Sequence, residues 1–220
     1  MLHEYDCLTK NLAPDRHFLR GSPRTIYLLT VDTVACMIAV LFQTDIMTTL
    51  HPWNSKGVLD PISAPLAMNR APYLITPPQL VERFGQTAER RKILKGFFAY
   101  RAGLRNLKIV KGFQWIDGSF VEEIEVLEGR PPGDIDVVTF YHLPEGESQK
   151  SILAQAPEYF PADDDEKQVL KDRFSVDTMM SCLDVTVTRL VKQAVFFYSV
   201  WSHRRDYTWK GFVQVDLATT

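Results

Sequence analysis

Helical spacing of apolar residues begins at Pro77-Pro78, a suitable helix start, and runs through Leu80, Val81 and Phe84 to a stop at Gly85. Thr87 caps a second helix over 88–107, in which Ile93, Phe97, Tyr100 and Leu104 recur at helical spacing with Leu94 and Phe98 beside them. Arg90, Arg91, Lys95 and Arg105 fall among these residues and predict a solvated basic outer side. The apolar run Phe113–Ile116 reads as a strand ending in Asp117-Gly118-Ser119, and Phe120, Ile124 and Leu127 suit a short helix closed by Gly129. After a turn at 130–133, Asp134–Phe140 alternates and is rich in β-branched residues, which predicts a strand. Residues 143–172 read as a surface excursion with a short helix. Their acidic run Asp163–Glu166 lacks the ligand pattern and glycine of a calcium loop, so it is a solvated loop or helix start. A strand at Phe174–Met180, an apolar helix at Leu190–Trp201 and a strand at Trp209–Leu217 complete the order. The pattern is that of an α/β or α+β protein, a small mixed sheet flanked by helices.

The N-terminal third carries no such pattern. Residues 51–78 are rich in Pro, Ser and Asn and read as an extended arm leading into a domain over 79–220. Residues 1–50 form an extension whose place in the working protein is open. Within it, Thr25–Phe42 is about as long as a minimal membrane span, but Asp32 near its middle costs about 2.5–3.5 kcal/mol on insertion. A buried helix or strand is a second reading, and upstream translation with the working start at Met47 a third. No membrane association is expected.

Composition narrows the function classes. With 45% hydrophobic residues and a net charge of -2 in 220 residues, binding of a polyanion by the whole chain is excluded as a main theme. The three cysteines, Cys7, Cys36 and Cys182, are far apart and include no CxxC, so neither a zinc site nor a disulfide framework can be built. A reducing cytoplasm is the expected compartment.

Candidate chemistry centres on Asp134 and Asp136. Residues two apart on a strand point to one face, with Cα atoms roughly 6.5–7 Å apart, so two carboxylates can bracket a hard cation such as Mg²⁺ or Mn²⁺. A solvent-facing pair on an edge strand is the competing reading. Gly118-Ser119, where a strand passes into a helix, offers backbone N–H groups and a hydroxyl to an anion. Asp177, flanked by apolar residues in a later strand, would complete three carboxylates if that strand lies beside the first, with Asp184 a weaker substitute. Cationic partners for phosphate are sought in Lys192, His203, Arg204, Arg205 and Lys210, interleaved with Trp201, Tyr207 and Trp209 that could stack on a base. A surface turn with its tryptophans in the core is the alternative for that cluster, and a capping role is the alternative for His203.

A strand ending in Gly-Ser, a helix, Asp-x-Asp on the next strand and a lone Asp on a later one resembles the DNA polymerase beta-like nucleotidyltransferase superfamily, over roughly 113–180. More closely, 54–217 looks like an uncharacterised bacterial family of nucleotidyltransferase-like proteins, through GFQWIDGSFVEEIE, RPPGDIDVVTF and WSHRRDYTWKGFVQVDL. The resemblance implies a mixed sheet with helices in which Asp134 and Asp136 bind catalytic metal. Asp177 would help ligate it and activate an attacking hydroxyl, while Gly118 and Ser119 hold the triphosphate of a nucleotide. The implied activity moves a nucleoside monophosphate from a nucleoside triphosphate, ATP among them, to a protein, an RNA or a small molecule. A toxin–antitoxin or phage-defence setting and a partner protein are open by analogy. The rival readings are an inactive nucleotide- or partner-binding module and a metal-dependent phosphohydrolase. The acidic connection through Glu122, Glu123, Glu125 and Glu128 departs from what phosphate binding wants.

Overall fold

Thr76 and Gln79 form a reciprocal capping box at the first helix, α1 (Pro77–Phe84). The Thr87 hydroxyl likewise accepts the Arg90 N–H to start α2 (Ala88–Asn106). Both starts fall where the sequence pattern places them. The computed structural model describes residues 50–63 and 69–219. The expected N-terminal extension up to residue 49, with the Thr25–Phe42 stretch and the alternative start at Met47, lies outside them.

Five strands form one mixed sheet: β1 (Tyr73–Leu74), β2 (Gly112–Asp117), β3 (Ile135–Tyr141), β4 (Val176–Cys182) and β5 (Val213–Asp216). Their order is β1-β5-β2-β3-β4, with β1 parallel to β5, β5 and β3 antiparallel to β2, and β4 parallel to β3. Between β2 and β3 lie a one-turn 3₁₀ segment at Ser119–Val121 and the short α3 (Ile124–Glu128). Between β3 and β4 come α4 (Gln149–Gln155), a 3₁₀ turn at Pro157–Tyr159 and α5 (Asp164–Phe174); α6 (Val187–Trp201) precedes β5. The expected mixed α/β architecture is present.

The sheet is covered on both faces. On one, Tyr100 and Thr178 share a hydroxyl hydrogen bond of 2.9 Å, and Arg101 donates at 2.6 Å to Gln114, whose amide donates to Thr139. These bonds satisfy a polar layer buried between α2 and the sheet. The end of α5 crosses α2 at Gly96, where a Cβ would stand 2.0 Å from the Phe174 carbonyl oxygen. On the other face α6 lays Phe197 against Phe140, while Trp201 and Trp115 both pack on Phe212.

Two expectations change and one open choice is resolved. The stretch 51–78 lacks helix until Pro77, as its composition predicts, but it is not a free arm. Val58, Leu59, Ala71, Tyr73 and Ile75 are buried, and Tyr73–Leu74 supplies the edge strand, because those apolar residues have a sheet edge to pair with. Residues 143–172 hold two α-helices rather than one, and Ile152, Tyr159, Leu170 and Phe174 enter the core. Asp163 caps α5 by accepting the Glu166 N–H, so the acidic run is a helix start.

Arg90 also departs from the solvated side. It is 1% exposed and makes a bidentate pair with Glu125 at 2.6 and 2.8 Å, while donating to the Phe120 and Glu122 carbonyls. A guanidinium can be buried there because each of its three nitrogens meets an acceptor in a planar fork. Among the described residues no helix is long and apolar enough to cross a membrane.

Candidate functional site: an aspartate row at one sheet end

The register brings together what the sequence separates. Asp117 at the end of β2 stands opposite Asp136 on β3, and Asp136 stands beside Asp177 on β4. In-register partners on neighbouring strands share a face about 5 Å apart, so three carboxylates form one row across three strands. Asp134, just before β3, adds a fourth at the corner. The Asp136 face is the one α6 covers further along, at Phe140.

Crowding and burial raise the cost of charge here. The Asp136 carboxyl is pushed up to about 7, first by burial and then by the carboxylates of Asp134, Asp117 and Asp177, with Lys210 opposing them. Asp117 is pushed up to about 6 by burial, with Lys210 pulling it back. Among the described residues neither Asp136 nor Asp177 has a cationic partner. Asp134, by contrast, ion-pairs with Lys171 from the last turn of α5.

Gly118 has φ +81, and a Cβ there would lie 1.7 Å from Oδ2 of Asp136. The close approach this glycine permits in the structure is to Asp136, where the sequence suggests a phosphate. Ser119 is half-buried and begins a single 3₁₀ turn, so the dipole expected from a following helix is small. Its hydroxyl makes no hydrogen bond among the described residues. Arg90, gripping the Phe120 and Glu122 carbonyls, fixes this turn to α2.

The cations expected for phosphate are placed differently. Lys210 is 3% exposed; its ammonium lies 2.9 Å from Asp117 Oδ1 and 2.8 Å from Glu122 Oε1, and donates to the Gly118 carbonyl at 3.3 Å. Burial acts to lower its pKa, but Asp117 and Glu122 outweigh that and the net shift is upward. Arg204 pairs with Glu122 at 3.0 Å, Glu128 at 2.9 Å and Asp206 at 3.6 Å. These ammonium and guanidinium groups are spent inside the protein, where they neutralise the acidic connection that looked out of place. Of Arg204, Arg205 and Lys210, only Arg205 is exposed and without an ion pair among the described residues. Tyr207 is 85% and Trp209 46% exposed beside it, whereas Trp201 is core. His203 sits at the end of α6 with Nδ1 near Ser202 Oγ and the Ser199 carbonyl, in keeping with a cap, and Lys192 is exposed on α6.

Asp184 is not a substitute for Asp177. It lies past the opposite end of β4, accepting from the Leu143 N–H and bonded to His142 Nδ1. Sequence reasoning passed over Asp117, Glu122 and Lys171. Asp117 had a signal in its place directly before Gly118; Lys171 had none, since its partner lies in another element.

The donor set fits a hard divalent cation: several carboxylate oxygens, two of the groups without counter-ions, on a rigid sheet end. As the side chains stand, with Asp134 on Lys171 and Asp117 on Lys210, no three acidic, His or Cys groups among the described residues converge into an ion cage.

Fold and site together define a mixed α/β protein with a carboxylate-lined corner at one end of its sheet. The chain belongs to a family of unknown function (DUF6932), which matches residues 51–216. Comparison with curated proteins and with solved structures gave no match.

Proposed function

We propose that the chain is a metal-dependent nucleotidyltransferase, moving a nucleoside monophosphate from a nucleoside triphosphate to an acceptor hydroxyl. The observation that carries this reading is the row Asp117–Asp136–Asp177 with Asp134 at its corner and a glycine turn against its centre. The motif resemblance to the polymerase beta-like superfamily supports it. Asp134, Asp136 and Asp177 would hold Mg²⁺ or Mn²⁺. A bound divalent ion supplies Lewis-acid stabilisation of charge on the phosphate oxygens. Asp177 takes the proton of the acceptor hydroxyl. That oxygen bonds to the α-phosphorus as the bond to pyrophosphate breaks. Ser119 donates its free hydroxyl to the triphosphate, and Arg205 with Tyr207 and Trp209 offers a cation and two aromatic faces for the rest of the nucleotide. The acceptor class stays protein, RNA or small molecule, and the compartment proposed is the cytoplasm.

One observation favours a second reading, a binding module without turnover: Arg204 and Lys210 are committed to internal acids. Incubating the chain with Mg²⁺, radiolabelled nucleoside triphosphates and lysate separates the readings. Label transferred to an acceptor supports the transferase. Nucleotide hydrolysis alone points to a phosphohydrolase, and nucleotide binding without either to a module. Transfer that survives replacement of both Asp134 and Asp136 by Ala refutes the site.

A further inference from the structure

Two lysines reach the aspartate corner, and they are held in different ways. Lys210 is enclosed, with a side chain 4% exposed and three acceptors within 3.3 Å. Among the described residues Lys171 ion-pairs with one acid, Asp134, and its side chain is 39% exposed. Its backbone is fixed: the Ser175 N–H donates to the Lys171 carbonyl, and the Ile135 N–H donates to the Ser175 carbonyl, which ties the end of α5 to the start of β3. Only the flexible four-carbon tether is free to swing its ammonium into water.

Resting on the metal reading above, we propose that Lys171 is the resident counter-cation of the site, holding Asp134 in the metal-free protein and displaced from it when a divalent ion binds. A carboxylate oxygen engaged by an ammonium does not present the same lone pair to a hard cation, and the two positive charges repel at that distance. Asp134 is itself only 15% exposed, so without metal its charge needs a partner, and among the described residues Lys171 is the cation paired with it. Half-exposure of Lys171 makes its release inexpensive, because the freed ammonium is rehydrated. Lys210 has no such exit. The pairing therefore keeps the acidic corner from opening when empty and sets a floor on the metal concentration that fills it.

The test is Mn²⁺ titration of the full chain by electron paramagnetic resonance, with thermal unfolding measured beside it. Lys171→Gln is expected to bind Mn²⁺ about three- to fivefold tighter than the parent, the upper worth of a half-exposed ion pair expressed in affinity. Its unfolding temperature falls without metal and rises further than the parent's on adding Mn²⁺. Lys171→Arg, which keeps the charge, stays within about twofold of the parent. Unchanged or weaker binding by Lys171→Gln overturns the inference while leaving the metal site standing. If neither protein binds Mn²⁺, the metal reading falls and this inference with it. Loss of binding in Asp136→Asn places the ion at this corner.

Discussion

Neutralising Asp136 should stabilise the metal-free protein while abolishing its response to metal. In the folded chain this carboxyl moves from its ordinary value of 3.8 up to about 7, burial being the largest cause and three neighbouring carboxylates the next. A folded-state value above the unfolded one means that the native protein holds the proton more tightly than the unfolded chain does. The charged form then destabilises the fold: the penalty is absent below about pH 4, grows as pH rises towards 7, and is constant above it. Its full size is at most about 4 kcal/mol. Asp136→Asn keeps the shape and removes the charge, so at about pH 8 in EDTA it should be more stable than the parent by about 2–4 kcal/mol. For a chain of this length each kcal/mol corresponds to about 2–4 °C in unfolding temperature. Urea unfolding followed by tryptophan fluorescence measures the difference at about pH 4, where it should vanish, and at about pH 8. Adding Mg²⁺ at the higher pH should raise the parent and leave the variant unmoved. If Asp136→Asn is no more stable than the parent at high pH, or is equally more stable at both, the claim that Asp136 carries a strained charge is refuted.

Other substitutions probe the surroundings of the row. Lys210→Met strands Asp117 as a buried, unpaired acid and leaves Glu122 to Arg204 alone, and should cost about 3–5 kcal/mol in urea unfolding. A cost under about 1 kcal/mol would mean that water or Arg204 replaces the ammonium. Gly118→Ala puts a methyl group where Asp136 Oδ2 stands and strains a positive φ, so stability should fall by about 1–3 kcal/mol and Mn²⁺ affinity should drop with it. Metal binding unchanged in that variant would show that the carboxylate can move aside. Asp177→Asn should lower turnover far more than nucleotide affinity, and an equal loss in both would argue against its role as proton acceptor.

What the sequence reveals of this site is limited by range. Asp134 and Asp136 are legible because their spacing alone puts them on one strand face. Pro77-Pro78 and Thr87 mark helix starts because such signals act within one helical turn. That Asp177 lies beside Asp136 depends on a parallel pairing across two helices, and the sequence could only state it as a condition. Arg90 looks like a solvent-facing member of a basic helix side, since the groups that accept its bonds, Glu125 among them, arrive from other elements. The same holds for Lys210, whose basic neighbours and exposed aromatics suggest a surface cluster while its own ammonium is enclosed. A two-residue strand such as Tyr73–Leu74 carries too few positions for alternation to register. Pairing of charges over long separations is what pattern reading misses here.

The position of β5 bears on how this protein comes into being. The last of these five strands in sequence order sits between β1 and β2, so this sheet is completed from its interior and not from an edge. On a ribosome, β2, β3 and β4 emerge and can pair while the flank of β2 that faces β5 stays open. During that interval Asp117 and Glu122 have no counter-ions, because Lys210 and Arg204 are not yet synthesised. The Asp117 and Glu122 side of the corner therefore becomes ordered after the Asp134–Lys171 side, and a nascent chain that has not reached Lys210 lacks the groups that organise it.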